Sequence, residues 1–212
     1  DSSYLYVGLG AKSAVRRVDL ATQTMDLEIP VAASSNVVGL AVFPEQAHSV
    51  LVAHIPFFQS LGSATLTVFD DDRPRTSTAS AGSEVLFSSF PGIAIAANLG
   101  TNELARIVID AQGASVQHQE SGFVFRGSIA ADANGDIYSG YGQRIRVADF
   151  TVSTLFNPGS DSATVASDAS GRRVFFVQSE FGSRKLIVRS FDIASAGLIE
   201  DFSFDTDPLT SF

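Results

Sequence analysis

Cysteine is absent from this 212-residue chain. Disulfides, thiol catalysis and cysteine-bound zinc are thereby excluded. Tryptophan is absent too, methionine occurs once and histidine three times. The histidines, His48, His54 and His118, lack metal-ligand spacing and read as surface or strand-end residues, so no metal is expected. Charged residues are only 17% of the chain, with 14 basic against 23 acidic and a formal net charge of −9. That surplus of acid opposes binding to nucleic acid and to anionic membrane surfaces, which both depend on Lys and Arg. No apolar run approaches the roughly 18 residues of a membrane span, so no membrane insertion is expected. There is no G-x-S-x-G elbow and no phosphate-cradling glycine loop, and no cofactor is expected.

What is present is a hydrophobic fraction of 45%, enough for a sizeable core. Five segments share one ending, a short alternating run closed by Asp: "AVRRVDL" (Asp19), "TLTVFDD" (Asp70), "ARIVIDA" (Asp110), "IRVADFT" (Asp149) and "IVRSFDI" (Asp192). The intervals are 51, 40, 39 and 43 residues. Upstream of each lies a second β-rich run: "YLYVG", "VLVAH", "IAIAAN", "DIYSG" and "VFFVQ". Four of these follow a third run across a turn: "GLAVFPEQAHS", "VLFSSFPG", "SIAADANGD" and "TVASDASGRR". A fourth stretch, such as "TMDLEIPV" or "ASVQHQE", follows the Asp. Four short strands per unit at this period predict an all-β fold, a β-propeller of four-stranded antiparallel blades. About five blades are expected, as units near residues 1–35, 36–82, 83–123, 124–160 and 161–212 of one propeller domain. Phe, Val, Ile and Leu are expected to fill the seams between blades.

The repeat "YLYVGLG…AVRRVDLATQTMDLEIPVA" resembles the YVTN-type propeller repeat of the lactonase-like families, as does unit 5, "RRVFFVQ…KLIVRSFDIASAGLIEDFSF". Units 2 to 4 match more loosely. Missing Trp separates the chain from tryptophan–aspartate repeats, and missing Gly-Gly pairs separate it from kelch. The resemblance implies a bacterial protein outside the cell or on its surface. It also implies seven blades in a whole domain, so the chain reads as a piece of a longer propeller. The alternative is a closed five-bladed ring in which "DPLTSF" supplies the first strand that unit 1 lacks.

Acidic segments offer candidate cation sites. "DANGD" (Asp132, Asn134, Asp136) has calcium-loop spacing at its start but Ile137 and Gln143 where Gly and Glu are needed. It is expected to be a hairpin turn, Asn and Gly both tolerating positive φ. Asp70, Asp71 and Asp72 read as a solvated turn beside Arg73 and Arg75, and so do Asp201, Asp205 and Asp207. The repeated Asp residues read as turn starters. The long second interval comes from an enlarged loop, "HIPFFQSLGS", between the second and third strands of unit 2, carrying Ile55, Phe57, Phe58 and Leu61. The equivalent loops of units 4 and 5 add Tyr141, Arg144, Phe181, Arg184 and Lys185. Aromatics and Arg are enriched at binding surfaces, so Phe57, Phe58, Tyr141, Phe181 and Arg184 are the candidate binding residues, toward a protein or glycan partner. The expected function is a non-enzymatic extracellular binding or scaffold module. The alternative, a lactonase-like or other hydrolytic enzyme, needs His, Glu or Arg converging from the first strands, whose runs are poor in them.

Overall fold

Each alternating run closed by Asp lies, in the computed structural model, on the next-to-outermost strand of an antiparallel sheet: three of these sheets have four strands, that of Asp19 has three, and that of Asp70 has its outer position split into two pieces. The structure describes residues 3–44, 46–59, 62–159, 162–168, 170, 172–180 and 184–205. The segment "DPLTSF" lies outside them. The chain is all-β, with five propeller-type blades and, among the described residues, a three-residue 3-10 turn, Gly10–Lys12, as its only helical element. By contact it divides into two compact units, Asp1–Gly122 and Phe123–Phe212.

The first unit holds three blades. Blade 1 is β1 (Tyr4–Leu9), β2 (Ala14–Asp19) and β3 (Thr24–Pro30). Blade 2 is β4 (Ser35–Val42), β5 (Ser49–Pro56) and β6 (Ala64–Asp70), its fourth position filled by two pieces, β7 (Arg73–Pro74) and β8 (Ala79–Ala81). Pro74 has no N–H for the ladder, and between the pieces Ser77 bridges instead to Gly113 of the next blade. Blade 3 is β9 (Glu84–Phe87), β10 (Ile93–Asn98), β11 (Glu103–Asp110) and β12 (Gly113–Ser121). The second unit holds blade 4, β13 (Ile129–Ala131), β14 (Asp136–Ser139), β15 (Gln143–Arg146) and β16 (Val152–Leu155). Blade 5 is β17 (Ala163–Ser167), β18 (Arg173–Glu180), β19 (Lys185–Asp192) and β20 (Leu198–Asp205).

Alternation in the sequence is blurred because a blade packs on both faces. In β5 the seven residues from Ser49 to Ile55 are all buried. Side chains from blades 1 and 2 mesh in one cluster of Tyr6, Val15, Ile29, Val50, Val52 and Phe69. Between blades 2 and 3 the seam is dominated by alanine, including Ala41, Ala53, Ala94, Ala96 and Ala105, with Leu51, Leu66 and Ile107. The sequence points to the larger Phe, Val, Ile and Leu side chains in the seams, and Leu51, Leu66 and Ile107 are there. Small ones prevail here because β4 packs close on the following blade: a Cβ on Gly39 would lie 2.2 Å from the Ser83 carbonyl oxygen. Phenylalanine does fill the seam of the second unit, where Phe156, Phe176 and Phe191 pack edge-on or tilted around Tyr138.

The third strand ends on its Asp in blades 1, 2, 3 and 5, whereas in blade 4 it stops at Arg146, three residues before Asp149. Asp19, Asp110, Asp149 and Asp192 each accept backbone N–H bonds from residues two or three further on, closing the turn to the fourth strand. A register shift interrupts the ladder between third and fourth strands in those same four blades. Such bulges raise local twist.

"DANGD" is a hairpin, closed by bonds from Asp132 N to Asp136 O and from Gly135 N to Asp132 O. Only Gly135, at φ +85°, is left-handed, so the loop is a type I turn with a glycine bulge and not an Asn-Gly turn of mirror-image type. The Asp132 side chain is buried. Its Oδ1 accepts from the N–H groups of Asn134 and Asp136, and its Oδ2 accepts from the hydroxyl of the buried Tyr138 at 2.8 Å. Burial, then the bond to Asp132, pushes the Tyr138 phenol above its ordinary value. Asp136 is paired with Arg144 at 2.6 Å. Both carboxylates are thus committed to donors of the protein itself. Asp132→Ala is expected to lower stability by about 2–3 kcal/mol in urea denaturation, because three donors lose their acceptor in a buried place. Calorimetry of the wild type with calcium is expected to give no saturable heat.

Candidate functional site

In the first unit the enlarged loop after β5 begins with a turn in which Gln59 N donates to Pro56 O at 3.0 Å. Phe57 N donates to Ser34 O at 2.9 Å, which ties the loop to the connection entering β4. This geometry presents Phe57 and Phe58 side by side. Phe57 is 37% exposed and Phe58 is fully exposed. Leu61 lies outside the described residues, and Ile55 is buried as part of the seam.

In the second unit Tyr141 sits in the turn between β14 and β15, closed by Gly142 N donating to Ser139 O at 2.8 Å. The guanidinium of Arg126 lies 5.3 Å from the centre of its ring. Beside it is a cleft of about 180 Å³ lined by Tyr141, Leu155, Phe156, Asn157, Pro158 and Gly159. Arg184 is exposed at φ +54°, immediately before β19. Phe181 lies outside the described residues. Arg144, expected in a loop, is a residue of β15 bound to Asp136.

The opposite end of blades 1 and 2 holds a cluster that the sequence did not disclose. Arg17 on β2 is nearly buried, its side chain 8% exposed. Its Nε and Nη2 donate to Asp26 of β3 at 2.8–3.1 Å, and its Nη1 donates to Asp71 of the next blade at 2.5 Å. The guanidinium lies 4.5 Å from the centre of the Tyr4 ring. His48 Nδ1 stands 2.9 Å from both Arg17 Nη1 and Asp71 Oδ1, and its ring packs against Tyr4. Hydrogen bonds from Arg17 hold the Asp26 and Asp71 carboxyls below the usual carboxylate range, with His48 adding to the effect at Asp71. Asp70 is lowered by Arg75, which grips it through two nitrogens at 2.8 and 2.9 Å.

The Asp70–Asp72 turn is therefore not only a solvated turn beside Arg73 and Arg75. Asp71 joins two blades, through an arginine 54 residues away in the sequence. The Asp201 reading changes as well: Asp201 and Asp205 belong to β20, and Asp201 pairs with Arg189 at 3.0 Å. Asp207 lies outside the described residues. His54 is buried against Thr67, and burial lowers its pKa. His118 lies on the outer strand β12 near Glu120. One further residue escaped the sequence reading. Glu84 opens β9 and is the only titratable side chain in the first strands β4, β9, β13 and β17. Burial pushes its carboxyl up. Its position beside "VLFSS" was the available signal. Among the described residues no three His, Asp or Glu side chains converge as a metal ion requires. No helix among them is long and apolar enough to cross a membrane.

No family model matches the chain, and no curated protein matches it. Solved structures do share its fold. One is a protein from Lactobacillus plantarum, 11% identical with a TM-score of 0.65, matched over 94% of this chain and 64% of that one. A protein of unknown function from Bacteroides caccae is 13% identical with a TM-score of 0.59, over 94% of this chain and 72% of that one. A functionally unknown protein from Desulfotomaculum acetoxidans is 14% identical with a TM-score of 0.57, over 92% and 68%. These are β-propeller-like folds of repeated four-stranded antiparallel sheets. At such identities the likeness extends to fold alone. The chain spans 64% of the length of the Lactobacillus plantarum protein.

The Arg17 clamp has a pH signature. A carboxyl whose folded pKa is depressed contributes stability that is present above its unfolded value and lost as pH falls through the folded one. Wild-type stability is therefore expected to fall below about pH 4, as Asp26, Asp70 and Asp71 take up protons. Arg17→Met is expected to cost about 1–3 kcal/mol at neutral pH, since both carboxylate partners keep some solvent. It is also expected to flatten the acid limb, leaving the Asp70 contribution. Urea melts at a series of pH values measure both effects.

Proposed function

We propose that this chain is a non-enzymatic binding or scaffold module of the YVTN-type, lactonase-like propeller class, placed outside a bacterial cell or on its surface. It meets a protein or glycan partner through the loops that join second to third strands. Phe57 and Phe58 are the contact residues of the first unit, with Tyr141, Arg184 and Phe181 those of the second. The observation that carries this reading is the fully exposed ring of Phe58 on a loop that breaks the repeat length. A large apolar side chain held in water contributes little to folding, whereas an aromatic presented by a loop on a sheet scaffold is a common anchor for a partner. The Tyr141 cleft adds an aromatic wall with an amide, Asn157, beside it. The three solved structures of like fold come from bacteria, in keeping with a bacterial protein.

A hydrolytic reading has one observation in its favour, the raised carboxyl of Glu84 on a first strand. A general acid works best with a pKa near the working pH. It still needs a second group to attack or to activate water, and the other first strands carry no titratable side chain. Binding is accordingly the stronger reading.

Binding of purified protein to arrayed glycans and to bacterial surface-protein fragments tests it. The Phe57→Ala, Phe58→Ala double variant is expected to bind at least about tenfold more weakly, a loss of about 1.4 kcal/mol. Its urea-melt stability is expected to change by less than about 1 kcal/mol, as for exposed positions. A stability loss of about 3–5 kcal/mol would mean that the rings belong to the core and would overturn the site. No lactone hydrolysis above the buffer blank, in the wild type or in Glu84→Gln, is the expected result for a non-enzyme, and hydrolysis by the wild type that Glu84→Gln abolishes would favour the hydrolytic reading.

A further inference from the structure

We propose that the cleft between two Phe-Pro turns, at the end of blades 2 and 3 away from the Phe57–Phe58 loop, is a second binding site. Its ligand is a small neutral aromatic ring bearing a hydrogen-bond acceptor. Neighbouring blades carry Phe-Pro at the same place, in the turn between first and second strands: Phe43-Pro44 and Phe90-Pro91. The two turns face each other across a cleft of about 240 Å³, lined by Phe43, Pro44, Gln46, Phe87, Phe90 and Pro91, with Ser88 and Ser89 between the last two rings. An apolar cavity of about 150 Å³ already accepts benzene, so the volume suits one ring with a substituent.

The floor is rigid. Phe43 is buried, its ring centre 4.5 Å from that of Phe87 at a tilt of 51°. The far wall is held open by its own backbone. Ser88 Oγ accepts from Phe90 N at 3.1 Å, Ile93 N donates to Phe90 O at 3.1 Å, and Ser88 N donates to Ile93 O at 3.0 Å. Gly92 completes the turn at φ +69°. These bonds keep Phe90 standing, 47% exposed, instead of folded down onto the Phe43–Phe87 pair. Apolar surface that is kept open by a fixed scaffold is the feature that separates a preformed pocket from a packing gap.

The polar groups select charge. Arg75 lies 5.6 Å above the Phe43 ring, but its charge is matched by two bonds to Asp70. None of the described lining residues is cationic, and the overall charge of −9 opposes an anion. Gln46 Oε1 is taken by Ser49 Oγ at 3.3 Å and Arg75 Nη2 at 3.4 Å. That leaves the Nε2 hydrogens of Gln46, a lining residue, to donate to a carbonyl oxygen on the ligand. The eight residues of β5 separate this turn from Phe57, about 25 Å of extended chain. The two sites are therefore independent, and neither reading depends on the other.

The test is a titration of benzamide into protein with labelled phenylalanine rings, followed by NMR. Saturable shifts confined to Phe43, Phe87 and Phe90 are expected, with a dissociation constant on the order of 1 mM, as few ligand atoms can give. Phe90→Ala is expected to weaken binding about tenfold by removing a wall, and Ser89→Trp to block it by filling the mouth. Phe58→Ala is expected to bind as the wild type does. The proposal is overturned if no saturable shift occurs, if the shifts survive both pocket variants, or if benzoate or glucose binds more tightly than benzamide.

Discussion

A propeller blade is a sheet with two faces to cover, and most of this structure follows from that requirement. It explains why β5 is buried along nearly its whole length and why its sequence lacks a clean alternation. It explains the alanine seam between blades 2 and 3, since facing sheets approach closely only where side chains are small. The same requirement places a charge where an apolar residue would be expected. Arg17 lies on the face of blade 1 that also carries Tyr6 and Val15, and its guanidinium must find anions within reach. Asp26 and Asp71 supply them, one from its own blade and one from the next. A packing obligation has become a link between blades.

The elements that were legible in the sequence are those whose cause is local. An Asp at a strand end binds N–H groups two and three residues on, so its repetition marks the turn wherever the chain repeats it. Asp19, Asp110, Asp149 and Asp192 do so. Asp70 is the exception that the pattern alone could not reveal. Its carboxylate turns to Ser49 and Arg75 instead, and Asp71 beside it reaches Arg17. Arg75 is local, but Ser49 and Arg17 belong to strands 21 and 54 residues away, and only the register of folded blades brings them near. The bulges between third and fourth strands were hidden for a similar reason, because a register shift belongs to a pair of strands and not to either one. Glu84 was lost to a strand boundary drawn one residue late.

Charge is used mostly inside the protein. Arg16, Arg17, Arg75, Arg144, Arg146, Arg173 and Arg189 all stand within ion-pair distance of Asp or Glu. Seven of the 14 basic residues are thus matched to acidic neighbours, while the chain as a whole keeps a net charge of −9. A partner meeting this surface gains little from long-range attraction unless it is itself basic. In the binding role proposed above, recognition would then rest on short-range contact through aromatic rings.

The two ends of blade 2 treat their rings differently, and the difference follows from what each turn has to do. The end holding the turn from β4 to β5 is crowded with structural tasks: His48 and Asp71 meet Arg17, and Arg75 grips Asp70 while donating to the Asp110 carbonyl of blade 3. Aromatic side chains there are drawn into the packing, and an open cleft survives where the Ser88 turn carries Phe90. Among its described residues the enlarged loop after β5 shows only backbone bonds, from Phe57 to Ser34 and from Gln59 to Pro56. Its length is not required by the ladder, since β6 pairs with β5 in uninterrupted register once the loop has returned. An insertion that leaves the pairing intact is free to carry side chains that the fold does not need, and Phe58 is one.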